Sequence, residues 1–208
     1  MARYTEPVCR ICRREGLKLF LKGTRCYTRK CSFERRATPP GTATVRRRKV
    51  SEFGLQLREK QKVRKSYSVL ERQFRNYFDK AEQTKGMTGE NLLRMLEMRL
   101  DNVVYRIGLA RSRPEARQLV SHGHFTVNGR PTNIPSFGTS VGDRISVRES
   151  RRSREFFTVA ADTMRNARVP EWLNADPGTL SATVTSEPAR DQMPLEFNEQ
   201  LVVEFYSR

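Results

Sequence analysis

Residues 110–134 read ARSRPEARQLVSHGHFTVNGRPTNI. Ser112 and Glu115 stand at the spacing of a capping box, with Pro114 in the first turn of the helix they open. Ala116, Leu119 and Val120 share its inward face, and Gly123 closes it as a C-cap. His124 to Val127 alternates as a strand, Asn128-Gly129 is a strong two-residue hairpin signal, and Pro131 to Ile134 returns. Further on, VGDRISV (141–147) reads as a turn and a strand with Ile145 and Val147 inward. Upstream, a helix over Gly89–Ile107 is expected from Leu93, Leu96, Leu100, Val103 and Ile107, which follow a three-four spacing. The unit is therefore two short helices followed by a small antiparallel sheet. Its charges gather at one corner. Arg113 and Arg117 share a helix face, Arg111 and Ser112 sit where free backbone N–H groups favour phosphate, and His122, His124 and Arg130 flank them. An ordinary solvated face is the alternative, and two histidines are too few for a metal site. The clustering favours a face for RNA.

Working outward, residues 51–66 read as a helix carrying Phe53 and Leu57. Ser68 and Glu71 suggest a capping box opening a helix that aligns Phe74, Phe78 and Ala81 and stops at Gly86. Residues 150–168 read as helical and basic. From Pro170 the pattern loosens through Pro177-Gly178, Pro188 and Pro194. The end, NEQLVVEFYSR, fits a helix capped by Asn198 better than a strand. The fold class is α+β.

The chain has 208 residues and a net charge of +17, with 37% hydrophobic and 30% charged residues. That suits one large or two modest globular domains. Residues 1–65 hold 20 Lys and Arg against 5 Asp and Glu, whereas residues 169–208 hold 2 against 7. A dense positive field at one end suits a polyanion, and nucleic acid is the usual one. A membrane surface would need a clean amphipathic helix, which Pro, Gly and Cys interrupt here. No apolar run approaches the ~18 residues of a membrane span, and MARYTEPVC lacks the apolar core of a signal peptide. The expectation is a cytoplasmic protein whose acidic tail packs on protein. The run Arg46, Arg47, Arg48, Lys49 lies in a linker and reads as phosphate-contacting rather than merely solvated. Arg3, Arg10, Arg13, Arg14, Lys22, Arg35, Arg36, Arg58 and Lys62 complete the basic candidates of this portion.

Cys9, Cys12, Cys26 and Cys31 are the only cysteines, spaced C-x2-C-x13-C-x4-C. Two close pairs returning across a loop match a four-thiolate metal knot. Leu17, Leu19, Phe20 and Leu21 supply too little apolar surface to fold ~40 residues unaided, and a metal can contribute about 10–16 kcal/mol. The neighbouring Arg10, Arg13, Arg14, Arg25, Arg29 and Lys30 are expected to lower the thiol pKa values. Two disulfides or four idle thiols are the alternatives. Zinc in a structural, closed site is the leading reading, and an iron–sulfur cluster uses the same ligands.

RLDNVVYRIGLARSRPEARQLVSHGHFTVNGR resembles the core of the small RNA-binding module named for the fourth protein of the small ribosomal subunit. With the cysteine knot, REKQKVRKSY, ERQFRNYF and NEQLVVEFYSR, the whole chain resembles the bacterial family of that ribosomal protein (the uS-four family) in its cysteine-containing form. The resemblance implies direct binding of small-subunit rRNA, support of subunit assembly, and influence on decoding accuracy. It implies the fifth and third small-subunit proteins as neighbours near the messenger entry channel. It implies an N-terminal segment with the knot (1–45), a helical domain (46–95), an inserted module (96–168) and a C-terminal segment returning to the helical domain (169–208). Carried over residue by residue, Cys9, Cys12, Cys26 and Cys31 hold the metal, and Arg111, Ser112, Arg113, Arg117, Gln118, His122 and His124 face RNA.

Neither a small-molecule substrate nor catalysis is expected. The rival, an RNA-modifying enzyme that borrows the module, needs a nucleotide loop or nucleophile elbow that the chain does not show. A second rival, a zinc-knot factor for duplex DNA, would have to prefer duplex DNA over folded RNA.

Overall fold

A computed structural model of the chain describes residues 4–41, 49–194 and 196–208. In chain order the helices before the sheet are α1 (Cys9–Glu15), α2 (Ser32–Arg35), α3 (Glu52–Ser66), α4 (Glu71–Gln83), α5 (Thr88–Glu97), α6 (Leu100–Arg106) and α7 (Arg113–Ser121). Then come β1 (Phe125–Val127), β2 (Arg130–Thr132), β3 (Arg144–Val147), α8 (Glu149–Arg152), α9 (Glu155–Arg165), β4 (Leu173–Asp176), β5 (Ser181–Val184) and α10 (Glu199–Tyr206). The chain divides into two compact units: residues up to Leu92 with Pro194–Arg208, and Leu93–Met193.

In the first unit α10 packs on α3. Ser51 caps α3, its hydroxyl accepting from Gly54 N at 3.2 Å. Asn198 caps α10 through Leu201 N, as the sequence suggests. The two helices are joined by polar as well as apolar contacts: Gln56 donates to Glu204 (3.0 Å), Asn198 N donates to Glu59 (2.9 Å), and the Phe53 and Phe205 rings lie 5.6 Å apart. The acidic tail does pack on protein. Phe74, Phe78 and Ala81 of α4 are buried as their spacing requires, with Tyr206 against Phe78 at 4.6 Å. The expected cap at Ser68 is not formed. α4 begins at Glu71 after an uncapped Leu70, and Ser68 is left-handed, φ 54°. The carboxylate that would have closed the box is engaged elsewhere: Glu71 accepts from Lys60 at 2.7 Å and from the Tyr206 hydroxyl at 2.9 Å.

The second unit is built round a five-stranded antiparallel sheet in the order β2-β1-β3-β5-β4. Phe125 and Val127 alternate inward on β1, and Ile145 and Val147 on β3; all four are buried with Val103, Ile107, Ala116, Val120, Phe157 and Trp172. Each fully buried side chain of this size contributes about 1.5–3 kcal/mol. Asn128 and Gly129 both have positive φ, 50° and 78°, the type I′ geometry the dipeptide suits. Asn128 also ties the hairpin to β3, donating to Asp143 (2.7 Å) and accepting from Arg144 N (2.8 Å).

Two expectations are corrected. The helix expected over 89–107 is two helices, broken at Met98–Arg99. There the backbone pairs with the loop after β2: Leu100 N donates to Phe137 O, and Thr139 N and Oγ1 donate to Met98 O. The unbroken three-four spacing hid the break because both helices bury the same stripe. The second correction concerns 169–193, expected to return to the helical domain. β5 pairs with β3, and β4 with β5, so this stretch completes the module's sheet and only Pro194–Arg208 joins the first unit. The Pro177-Gly178 pair is the turn between β4 and β5, where Asp176 Oδ1 accepts from Gly178 N at 2.9 Å.

Candidate nucleic-acid interface

The start of α7 forms as the capping residues dictate. Ser112 Oγ accepts from Glu115 N at 3.4 Å, while the Glu115 carboxylate reaches past Ser112 to Arg111 N at 2.6 Å. Ser112 is thereby buried, holding the helix end rather than offering its hydroxyl outward.

Beneath this corner two carboxylates gather four guanidiniums. Asp101 accepts from Arg99 (3.0 and 2.6 Å) and from Arg117 (3.2 Å). Glu97 accepts from Arg106 (2.8 and 2.7 Å) and Asn102 (2.7 Å). Arg113 donates to Asn102 Oδ1 at 2.7 Å, lies 3.8 Å from Glu97, and rests over the Tyr105 ring at 4.7 Å. The side chains of Arg113 and Arg117 are only 12% and 10% exposed. A buried charge must be paired, and these two are paired inside the module. Their expected place on the ligand face is corrected: they brace the corner from within. Arg111, Gln118 and His122 remain exposed on it.

His124, expected beside them, is buried and its ring meets the edge of Phe157 at 5.6 Å. Burial first, and then the charges of Arg154, Arg151, His122 and Arg148, hold its pKa below the ordinary histidine value. Those arginines belong to RESRRSR (148–154), the feature sequence reasoning passed over as merely a basic helix. Arg152 and Arg154 are exposed and Arg148 and Arg151 half-buried. Arg148 donates to Gly123 O (3.2 Å) and Arg152 to Val147 O (3.3 Å), and none of the four is paired with a carboxylate among the described residues. Arg148 and Arg152, with Thr126, Gly129 and Ser146, line an open groove beside the hairpin. Arg130 is exposed on the same hairpin. Four unpaired guanidiniums in seven residues form the strongest cationic strip of this unit, a surface for phosphates.

In the first unit Arg10, Lys22, Arg35, Arg36 and Lys49 are exposed. Arg13 and Arg14 tether the segment after α2, donating to Thr38 O (2.8 Å) and Pro40 O (3.1 Å). Arg58 stays half-exposed, 3.9 Å from Glu15. Lys62 is committed to Glu59 at 2.6 Å, so its expected place among phosphate contacts is corrected to that of a helix-face ion pair. Arg3, Arg46, Arg47 and Arg48 lie outside the described residues.

Cys9 is half-buried and Cys12, Cys26 and Cys31 are buried; all four are free. Cys12 packs with Ile11, Leu19 and Leu21, backed by Val8, Leu17 and Phe33. Burial pushes the Cys12 and Cys26 thiols up; N–H groups of Leu19 and Lys22 act the other way, and the neighbouring sulfurs reinforce the rise. The Lys18 charge also lowers Cys26, but burial outweighs it, so the net direction is opposite to the one expected from the basic residues around the knot. Among the described residues no group of three or more His, Cys, Asp or Glu is arranged to hold a metal ion. The donors nevertheless suit one in kind. Cys12 feels the charges of Cys26, Cys9 and Cys31, and Cys26 those of Cys31 and Cys9, and Lys22 N donates to Cys26 Sγ at 3.4 Å.

A helix pair on a small antiparallel sheet, with a capped helix start, an internal arginine brace and an outward arginine strip, defines a compact polyanion-binding module joined to a cysteine-bearing basic unit. Residues 3–97 match the family described as the ribosomal protein S4/S9 N-terminal domain, and residues 98–145 match the S4 domain. The chain is 58% identical to small ribosomal subunit protein uS4 of Pelotomaculum thermopropionicum over 212 residues, covering 100% of both. It is 54% identical to uS4 of Clostridium tetani and 56% to uS4A of Symbiobacterium thermophilum, again over 100% of each chain. The chain belongs to the bacterial uS4 family of small ribosomal subunit proteins.

Proposed function

We propose that this chain is a structural, rRNA-binding protein of the small ribosomal subunit, working in the cytoplasm as part of the ribosome. The observation that carries the reading is the unpaired arginine strip at 148–154, set on a module of the S4 domain. Phosphates of a folded RNA satisfy the strip, while shape and 2′-hydroxyl contacts select the site. The relatives are named as ribosomal proteins, which is the ground for reading the chain as non-enzymatic. Binding to small-subunit rRNA is tested by filter binding against an unrelated folded RNA of equal length. Preference for the rRNA supports the reading; equal binding, or turnover of a modified base, contradicts it.

Within that function the chain supports subunit assembly and decoding accuracy, with the fifth and third small-subunit proteins as neighbours. These finer roles rest on the family's place in the subunit. Cys9, Cys12, Cys26 and Cys31 hold one zinc ion in a structural site, a reading supported by their spacing and by the burial of Cys12, Cys26 and Cys31. Bound zinc would join the thiolates into one closed clamp over the small Ile11, Leu19 and Leu21 cluster. Elemental analysis of purified protein tests this: one zinc per chain is expected, whereas iron with sulfide, or no metal at all, contradicts it.

A further inference from the structure

Glu149 is out of place in the arginine strip. The groove beside the hairpin has a volume of about 680 Å³, and Thr126, Pro131, Ser146, Arg148, Glu149 and Arg152 are among its lining residues. Glu149 is the one acidic residue on that lining, and it is exposed. Arg152 stands one helical turn away on α8, yet no hydrogen bond or ion pair engages Glu149 among the described residues. A site built only for phosphates gains nothing from a carboxylate, which repels them. An ionised carboxylate only accepts hydrogen bonds, so beside two guanidiniums it suits a neutral donor lying next to a phosphate. The ribose 2′-hydroxyl is such a donor.

The floor of the groove fits the same ligand. The register of β2, β1 and β3 sets Pro131, Thr126 and Ser146 in one row, on the face opposite Phe125 and Val147. At ordinary strand spacing the row is about 10 Å across. Thr126 Oγ1 and Ser146 Oγ are hydrogen-bonded at 2.7 Å, and Thr126 Oγ1 lies 3.3 Å from Ser146 O. Whichever hydroxyl donates, each oxygen keeps a lone pair for a further donor. Arg148 and Arg152 each commit part of the guanidinium to a backbone carbonyl, and the remaining N–H groups are left for phosphate. A shallow hydroxyl-lined floor with a cationic edge matches the wide minor groove of an A-form RNA helix, which displays its 2′-hydroxyls. Duplex DNA has no such hydroxyl. A protein partner would have to bring a cation to Glu149 and anions to the arginines within one groove.

We propose that this groove reads the ribose edge of a helical segment of the bound RNA. Glu149 and the Thr126–Ser146 hydroxyl pair take 2′-hydroxyls, and Arg148 and Arg152 take the flanking phosphates. The inference deepens the rRNA-binding reading and rests on it. It is tested with full-length protein and small-subunit rRNA carrying scattered 2′-deoxynucleotides, comparing wild type with Glu149→Gln, Glu149→Ala and Ser146→Ala. Two quantities are read: affinity, and the riboses at which deoxy substitution excludes the RNA from the complex. A carboxylate in the first turn of a helix also favours the helix, so each variant is melted separately and binding is measured well below its midpoint.

Wild type should discriminate against deoxy substitution at a few neighbouring riboses. Glu149→Ala should bind unmodified rRNA about 10- to 100-fold more weakly and stop discriminating at one or more of them. Glu149→Gln keeps a carbonyl acceptor without the charge and should fall between. Ser146→Ala should lose about 2- to 10-fold. If the groove only attracts phosphates, removing its anion strengthens binding instead. A Glu149→Ala protein that binds as tightly as wild type or tighter would therefore overturn the inference. So would weaker binding that keeps every deoxy effect, or a loss of discrimination confined to guanine amino groups, read with inosine in place of guanosine. A Glu149→Ala protein that binds rRNA normally but loses a neighbouring protein during subunit reconstitution would overturn it as well. Failure of the wild-type protein to bind the rRNA at all would overturn the functional reading, and this inference with it.

Discussion

Replacing Arg117 by methionine should cost stability and leave RNA binding intact. The Arg117 side chain is 10% exposed and its guanidinium lies 3.2 Å from Asp101. Methionine preserves most of the aliphatic volume, so the loss falls on the polar contacts of the guanidinium, the one to Asp101 among them. Stranding a buried charge costs about 3–5 kcal/mol, but Asp101 would keep both bonds from Arg99, at 3.0 and 2.6 Å. The loss of the Asp101 contact itself is therefore that of one charge-assisted hydrogen bond, about 1.5–3 kcal/mol. At about 2–4 °C per kcal/mol for a chain of this size, the thermal midpoint should fall by about 3–12 °C. Asp101→Asn should cost more, about 3–5 kcal/mol, because it leaves two buried guanidiniums without their carboxylate. Circular dichroism melts give the stability, and filter binding well below both midpoints gives the affinity. An Arg117→Met protein that melts as wild type yet loses rRNA affinity would refute the reasoning and return Arg117 to the ligand face.

Gly108→Ala should be strongly destabilising in urea unfolding. A Cβ there would lie 2.7 Å from Ala167 Cβ, at φ +84°, adding about 1–2 kcal/mol of left-handed strain to about 1–3 kcal/mol of overpacking. Glu71 should contribute an acid-sensitive part of stability. Burial pushes its carboxyl up, but the hydrogen bonds from Lys60 and Tyr206 outweigh that and hold it below the ordinary value. A carboxyl lowered in the folded state stabilises above its unfolded pKa, and that share is lost as pH falls through the folded value. Melts of Glu71→Gln should therefore depend less on pH below about 4.3, the unperturbed glutamate value, and an unchanged acid profile would count against the pairing. His124 should titrate below an ordinary histidine by NMR in the free protein. Its pKa should rise when phosphates offset the field of Arg154, Arg151 and Arg148, and no change on adding rRNA would place the RNA elsewhere.

The sequence reveals elements where short-range chemistry dictates geometry. Ser112 and Gly123 bracket α7, Asn128-Gly129 turns the hairpin, and Asn198 caps the last helix, each satisfying backbone groups within a few residues. It misleads where distant groups decide. Met98–Arg99 reads as mid-helix because the loop that captures its backbone, 135–139, is some 40 residues away. β4 and β5 are four-residue strands, too short for alternation to stand out, and only the pairing of β5 with β3 and of β4 with β5 reveals them. The candidate site divides the same way. Sequence identifies an arginine-rich corner, but burial decides which guanidiniums serve ion pairs and which face outward. Arg113 and Arg117 fall on the inner side because Glu97, Asp101 and Asn102 wait beneath them. Arg148, Arg151, Arg152 and Arg154 remain unpaired because the carboxylate in their run, Glu149, forms no bridge to them. A closer look at the RESRRSR run, seven consecutive polar or charged residues with no apolar face, could have singled it out.

The most direct test is the salt dependence of rRNA binding when Arg148, Arg151, Arg152 and Arg154 are all changed to glutamine. Each arginine seated on a phosphate adds about 0.7–0.9 to the slope of log affinity against log salt. The quadruple variant should bind more weakly, with a clearly shallower slope, measured at a temperature well below its own melting midpoint because Arg148 and Arg152 also bond to backbone carbonyls. A slope identical to wild type would mean that the strip touches no phosphate, and the account of how this protein holds its RNA would be wrong.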